Sequence, residues 1–304
     1  LWRRSNRPTV KYIKRIAVER RQHQGSVKRC GDWKMLPSSF SRPADGDSFT
    51  VKKFMKIFIY SMTNSGFYFY NNTTGILIDG LYGRGPYQCF SPFPQSLFHQ
   101  VIEKKGIFSH MDGLFFTHEH GDHKDADLLY YVTHNYRAVS VYSYEDLEGK
   151  QEIQQMETGI YRLRFSEYEI YFVDVEHEGR KSGDALLQVK TCMMVIRVNG
   201  EQITLLSDAL IQEREIRILN RFGRSDLLIC NPLQLAEKQK CEYLEELHAK
   251  RILISHLPLP EDDIYDYWRL AKQKSRKCVI GGVHPELPEQ LNWLDGRIPD
   301  FIIL

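Results

Sequence analysis

The sequence predicts an α/β sandwich, and three observations predict it. From Met55 onward, short apolar runs of strand length alternate with longer segments whose apolar residues recur at helical spacing. Asn199-Gly200 separates two such apolar runs, and this dipeptide between strands signals a hairpin because its tight turn needs residues that tolerate positive φ. The histidines and aspartates best suited to chemistry fall just after strand-like runs, where a rigid scaffold positions loops.

Taken in order, Met55-Lys56-Ile57-Phe58-Ile59-Tyr60 opens a strand over 55–61, and strands over 67–70 and 75–79 follow. The third ends in Gly75-Ile76-Leu77-Ile78-Asp79-Gly80. A loop over 81–93 is rich in glycine, proline and aromatics (Tyr82, Gly83, Arg84, Gly85, Pro86, Tyr87). Leu97 and Val101 share a helical face, with Gly106 as the rear stop of a helix over 94–104. Gly113-Leu114-Phe115-Phe116 makes a strand over 113–117, and Ala126, Leu128, Leu129 and Val132 give the helix over 123–134 its period. Strands over 138–142, 160–165 and 169–175 come next, then a hairpin of 187–198 with 201–207. Helix 211–221, strand 226–230, helix 235–248, strand 251–255, helix 262–273 and strand 277–280 complete the series.

Composition narrows the class. A hydrophobic content of 42% with four Trp suffices for a sizeable core. No apolar run reaches the roughly 18 residues a membrane-spanning helix needs. The six cysteines (Cys30, Cys89, Cys192, Cys230, Cys241, Cys278) form no C-x-x-C pair, which argues against a zinc ribbon and a disulfide scaffold. Cys192, Cys230 and Cys278 lie in apolar runs and read as small core residues. A reducing, cytoplasmic setting is expected. The net charge of +2 hides a split: residues 1–54 hold 14 basic and 4 acidic residues, a balance of +10, which leaves −8 for residues 55–304. The expected organisation is therefore a basic extension, 1–54, and a folded domain, 55–304. The extension shows no sustained period, and the favoured reading is that the native protein starts at Met55. A basic arm for nucleic acid and a mitochondrial-type presequence are the other two readings.

The densest chemistry lies in Thr117-His118-Glu119-His120-Gly121-Asp122-His123. His118 and His120 are two apart, so in extended backbone their side chains leave the same face and can hold one cation. The helix expected to start near His123 has unpaired N–H groups that favour acidic neighbours. Asp122 and His123 can thus reach a second cation beside the first. Imidazole and carboxylate donors suit zinc, and also manganese or iron. Glu119 points away from its neighbours in extended backbone and receives no ligand role.

This H-x-H-x-D-H run after an apolar strand resembles the signature of the metallo-β-lactamase-fold hydrolase superfamily, over about residues 55–304. The resemblance implies a four-layer αββα sandwich and a dinuclear centre. Further ligands are expected at strand ends: His177 after Ile170-Tyr171-Phe172-Val173-Asp174-Val175, Asp208 after Ile203-Thr204-Leu205-Leu206-Ser207, and His256 after Arg251-Ile252-Leu253-Ile254-Ser255. By resemblance His118, His120 and His177 hold one metal, Asp122, His123 and His256 hold the other, and Asp208 bridges them. Asp79 matches an early aspartate that supports the ligands from behind. The chain departs from the common pattern in having Ser207-Asp208-Ala209 at the bridge and Glu176-His177-Glu178-Gly179-Arg180 around the third histidine.

The expected activity is metal-dependent hydrolysis, in which hydroxide bridging two divalent ions, zinc foremost, attacks a small, anionic ester, lactone or phosphodiester. Asp122 would orient or deprotonate the water. Arg84, Arg180, Tyr82 and Tyr87 are candidates for the mouth of the site, and Asn231-Pro232 and His284 for its vicinity. The expected partner is a small-molecule substrate, with no membrane and no nucleic acid. A nucleic-acid phosphodiesterase is the alternative within the superfamily, disfavoured by the acidic balance of the domain. A non-hydrolytic metal-binding or redox protein is another, although relatives that reduce oxygen or nitric oxide carry Glu where this chain has His120.

Overall fold

A computed structural model describes residues 56–83, 90–135, 139–178, 188–288 and 301–304. Thirteen strands and five α-helices are defined among them, beginning with β1 (Phe58–Met62), β2 (Gly66–Tyr70) and β3 (Gly75–Ile78). Helix α1 (Gln95–Ile102), β4 (Met111–Phe116), α2 (Ala126–Asn135) and β5 (Ser140–Ser143) follow. Next come β6 (Ile153–Glu157), β7 (Ile160–Phe165), β8 (Tyr168–Val175), β9 (Thr191–Val198) and β10 (Glu201–Leu205). The series closes with α3 (Glu213–Asn220), β11 (Leu227–Cys230), α4 (Lys238–Glu245), β12 (Arg251–Ile254), α5 (Tyr267–Lys277) and β13 (Phe301–Ile303).

The strands form two mixed sheets, β13-β1-β2-β3-β4-β5 and β12-β11-β10-β9-β8-β7-β6. Side-chain alternation decides which faces meet. Phe67 and Phe69 of β2, Ile76 and Ile78 of β3 and Phe115 of β4 share one core cluster with Phe172 of β8, Met194 and Ile196 of β9, Ile203 of β10 and Leu227 of β11. That cluster lies between the sheets. The opposite face of the second sheet (Val173, Met193, Val195, Leu228, Ile252) packs with Ile216 and Leu219 of α3, Leu244 of α4 and Ala271 of α5. Strand β9 is buried on both faces, which is why it reads as a continuous apolar run rather than an alternating one. On the outer side of the first sheet, Tyr68 meets Phe108 of a short 3-10 turn, ring centroids 4.9 Å apart. Phe98 of α1 and Tyr131 of α2 pack at 5.4 Å. The result is the four-layer αββα sandwich.

Strand direction places the site. β3 and β4 run parallel, as do β10, β11 and β12, and β8 is antiparallel to β9, which is antiparallel to β10. Asp79, the H-x-H-x-D-H run, His177, Asp208 and His256 all follow the carboxyl ends of these strands. Asp79, Ser207 and His256 leave them in left-handed backbone, with φ of +48°, +49° and +60°.

Several elements differ from expectation. The helix expected from 123 begins at Ala126, because Asp125 accepts the N–H groups of Asp127 and Leu128 at 3.0 and 2.9 Å and so caps it. His123 therefore sits in the preceding turn. The helix expected over 235–248 is split into a 3-10 turn, Pro232–Leu235, and α4. The last helix starts at Tyr267, where Asp263 accepts the N–H groups of Tyr267 and Trp268 at 2.8 Å each, and it runs on to Lys277. The strand expected over 277–280 is absent: Gly281 and Gly282 turn the chain back at positive φ, leaving a single bridge between Ile280 and Val283. Strands β6 and β13 were not expected. The basic extension 1–54, Arg84, Tyr87 and Arg180 lie outside the described residues. No helix among the described residues is long and apolar enough to cross a membrane.

Candidate metal centre

The seven expected ligand residues converge on one buried pocket of donors. Ligand atoms of His118, His120, His177 and Asp208 lie within 4.8 Å of one another, and so do those of Asp122, His123, Asp208 and His256. All seven are buried. Asp208 belongs to both groups through one oxygen: its Oδ2 lies 3.2 Å from His123 Nε2, 3.4 Å from His256 Nε2, 3.6 Å from His177 Nε2 and 3.7 Å from His118 Nε2. Asp122 Oδ2 stands 3.4 Å from His256 Nε2.

Each imidazole is aimed by what its other nitrogen touches. Asp79, fully buried, accepts Thr117 N–H at Oδ1 (2.8 Å), and at Oδ2 the Thr117 hydroxyl (2.6 Å) and His123 Nδ1 (2.9 Å). That leaves His123 Nε2 facing Asp208. His177 Nδ1 donates to Glu178 O at 2.6 Å, so its Nε2 faces the donors. The loops carrying His177 and Asp208 are joined by Glu178 N–H to Asp208 O (2.7 Å) and Leu210 N–H to Glu176 O (2.8 Å). Phe90 sets its ring edge-on to His256, centroids 4.3 Å apart, and stacks on Tyr267 of α5.

The donor set fits divalent cations on two observations. First, Asp122 Oδ1 and His177 Nε2 are buried with no hydrogen-bond partner, a costly arrangement unless a cation or water satisfies them. Secondly, the electrostatics demand positive charge. Burial would raise the carboxyl of Asp208, yet His256 and His123 hold it well below the usual carboxylate range. Burial would also raise Asp122, but its hydrogen bond to His256 and the charges of His123 and His256 together lower it. Conversely, burial would depress His123 and His256, but Asp79 and Asp208 hold His123 well above the ordinary imidazole value, and Asp208 and Asp122 lift His256 to about 9. His118, by contrast, is pushed well below that value by burial and by the neighbouring His123. The ring nitrogens of His118 and His120 stand 3.1 Å apart, and those of His123 and His256 3.0 Å apart. Protons or cations must occupy such contacts, and divalent cations serve all of them at once.

Asn231, expected near the site, donates to Asp208 Oδ1 at 3.1 Å, whereas several other participants were not foreseen. Ser65, in the β1–β2 turn, puts Oγ 3.2 Å from His123 Nε2. Asn64 ties that turn to Leu257 O (2.8 Å) and Ser91 O (2.9 Å). Thr117 links Asp79 to His118 Nδ1 (3.0 Å) and to Ser207 Oγ (2.9 Å). Gln234 binds the Asp208 turn through Ser207 O and Ala209 O. Thr117 adjoins the histidine run, which was a usable signal; Ser65 and Gln234 carried none. Tyr82 is fully buried and bonded to Thr63, so it does not line a mouth. His284 is exposed and belongs to neither donor group. Glu119 accepts Lys124 Nζ and Ser143 Oγ, both at 2.5 Å, away from the donors. A cavity of about 600 Å³ lined by Tyr144, Tyr161, Asp174, Lys190 and Arg214 contains none of the seven donor residues.

No protein-family model and no curated protein sequence matches the chain. Solved structures do. The metallo-β-lactamase fold protein YhfI from Bacillus subtilis is 17% identical with a TM-score of 0.51, covering 82% of this chain and 98% of its own. The metallo hydrolase Igni18 from Ignicoccus hospitalis is 12% identical at a TM-score of 0.52, over 82% of this chain and 98% of its own. An isothiocyanate hydrolase from Delia radicum gut bacteria is 15% identical at 0.52, again over 82% and 98%. With both sheets, the strand-end donors and these likenesses in place, the chain has the metallo-β-lactamase fold.

Proposed function

We propose that this protein is a metal-dependent hydrolase that holds two divalent cations, zinc foremost, and acts on a small anionic ester, lactone or phosphodiester. The observation that carries the reading is the pair of buried donor groups that meet at Asp208 Oδ2. Divalent cations held by these residues would supply a metal-activated water and polarise the electrophilic oxygen of the substrate. The chain supplies the rest. Asp122, with Oδ2 beside His256 and Oδ1 open to a cation or a water, would orient the attacking water or take its proton. Asp79 and Thr117 fix the rings of His123 and His118. Phe90, itself stacked on Tyr267, covers His256 with apolar surface.

The acidic balance of residues 55–304 supports a small substrate over a nucleic acid, whose phosphates recruit basic surfaces. A cytoplasmic setting agrees with free thiols at Cys192, Cys230, Cys241 and Cys278. The test is metal analysis of protein purified without chelator, followed by turnover of bis(p-nitrophenyl) phosphate, a lactone panel, a thioester and, because one fold neighbour is an isothiocyanate hydrolase, an isothiocyanate. About two equivalents of metal and turnover abolished by His120→Ala and by Asp208→Ala are expected. Metal-free protein, or turnover untouched by both substitutions, overturns the reading. Cleavage of short RNA with no small-molecule turnover transfers it to the nuclease alternative.

A further inference from the structure

The two oxygens of Asp208 have different surroundings. Oδ2 faces four imidazole nitrogens, whereas Oδ1 accepts a hydrogen bond from Asn231 Nδ2 at 3.1 Å. Asn231 is buried directly after β11, and its Nδ2 also reaches Ser207 O at 3.2 Å. Its amide orientation is fixed by chemistry: Oδ1 accepts Gln234 N–H at 3.0 Å, and a backbone N–H can only donate. The amide nitrogen therefore has to face Asp208. Gln234 completes the lock. Its Oε1 accepts Asn231 N–H at 2.9 Å, and its Nε2 donates to Ser207 O at 3.1 Å and to Ala209 O at 2.9 Å. The two amides thus hold the turn on both sides of Asp208, at the point where Ser207 takes left-handed backbone.

We propose that Asn231 is a positioning residue for the shared carboxylate. By claiming Oδ1 it prevents Asp208 from chelating one cation with both oxygens and reserves Oδ2 for the two cations together. Gln234 orients Asn231 and carries the same function at one remove. This inference rests on the two-cation reading above.

The test uses Asn231→Ser. Serine is a good cap for the 3-10 turn that Asn231 opens, so the local fold is kept, but its side chain is too short to reach Asp208 Oδ1. Metal-free full-length protein is titrated with zinc against a chromogenic chelator. In the variant the weaker of the two equivalents is expected to lose about 10–100-fold in affinity, the range for partners that orient metal ligands. Zinc is expected to raise the melting temperature of the variant by less than it raises that of the unsubstituted protein, beyond any loss the metal-free variant shows. Two equivalents bound with unchanged affinities overturn the proposal and leave the two-cation reading standing. An equal loss of melting temperature with and without zinc also overturns it, since Asn231 would then act only in folding. If the unsubstituted chain binds one equivalent or none, the two-cation reading itself fails.

Discussion

His256 answers to opposed demands within one side chain. Burial disfavours its charge, yet Asp208 and Asp122 lift its pKa to about 9 when no cation is bound. An unfolded histidine titrates near about 6.5. The folded value is the higher one, so the stabilisation is complete below about pH 6.5 and is lost as the pH rises through 9. Chelator-treated protein should therefore lose on the order of 3 kcal/mol of unfolding free energy across that window, at about 1.4 kcal/mol per pKa unit. Urea unfolding at several pH values measures it as the difference from His256→Asn, which keeps the contribution of His123; parallel profiles would refute it. Zinc-loaded protein needs the neutral ring and should not show the decline. Local spacing alone picks out His118, His120, Asp122 and His123, which lie within six positions; Asp79, His177, Asp208, His256 and Asn231 were reached only through the resemblance. Thr117 and Ser207 are 90 positions apart, Ser65 and His123 58 apart, and Asn231 and Asp208 23 apart. No pattern of spacing announces such pairs, because only the sheets bring them together.

At the scale of the element, the β2–β3 pair is held by a close approach between a glycine and an aromatic ring. A Cβ on Gly75 would overlap the Tyr68 side chain and stand 2.8 Å from His110 O. Gly75→Ala is expected to destabilise the protein by about 1–3 kcal/mol through overpacking. Tyr68 Oη is itself buried without a hydrogen-bond partner, so Tyr68→Phe should be neutral or stabilising by up to about 1 kcal/mol. Denaturation midpoints of the two variants decide both points, and a strongly destabilised Tyr68→Phe would show that the hydroxyl is satisfied. Elements were legible where one face was apolar and the ends were marked. Strand β6 escaped because four of its five residues are exposed and polar or unbranched, so no alternation shows. Strand β13 escaped because three residues carry little pattern and its partner β1 lies some 240 positions earlier. The start of α2 was misplaced because Asp125, rather than the preceding histidine run, supplies the cap.

On the scale of the molecule, the donors are divided between the sheets. His118, His120, Asp122 and His123 follow β4 of the first, with Asp79 behind them after β3; His177, Asp208 and His256 follow β8, β10 and β12 of the second. A cation that touches both sets ties the sheets together at one end of the core. Saturating zinc at about 100 times its dissociation constant should add about 2.7 kcal/mol to stability. The melting temperature should accordingly rise on loading and fall on chelation, by calorimetry; no change on chelation of a demonstrably loaded sample would show that the unfolded chain binds the metal as well as the folded site does. The division also sets an order of events in biosynthesis. The four donors of the first sheet emerge from the ribosome together, but Asp208 and His256 follow about 90 and 140 positions later, and neither takes its place until β10 and β12 have docked. The complete centre therefore cannot load during early synthesis. A cation that needs all seven donors would load only as the last strands dock or after them, never on the emerging first sheet alone.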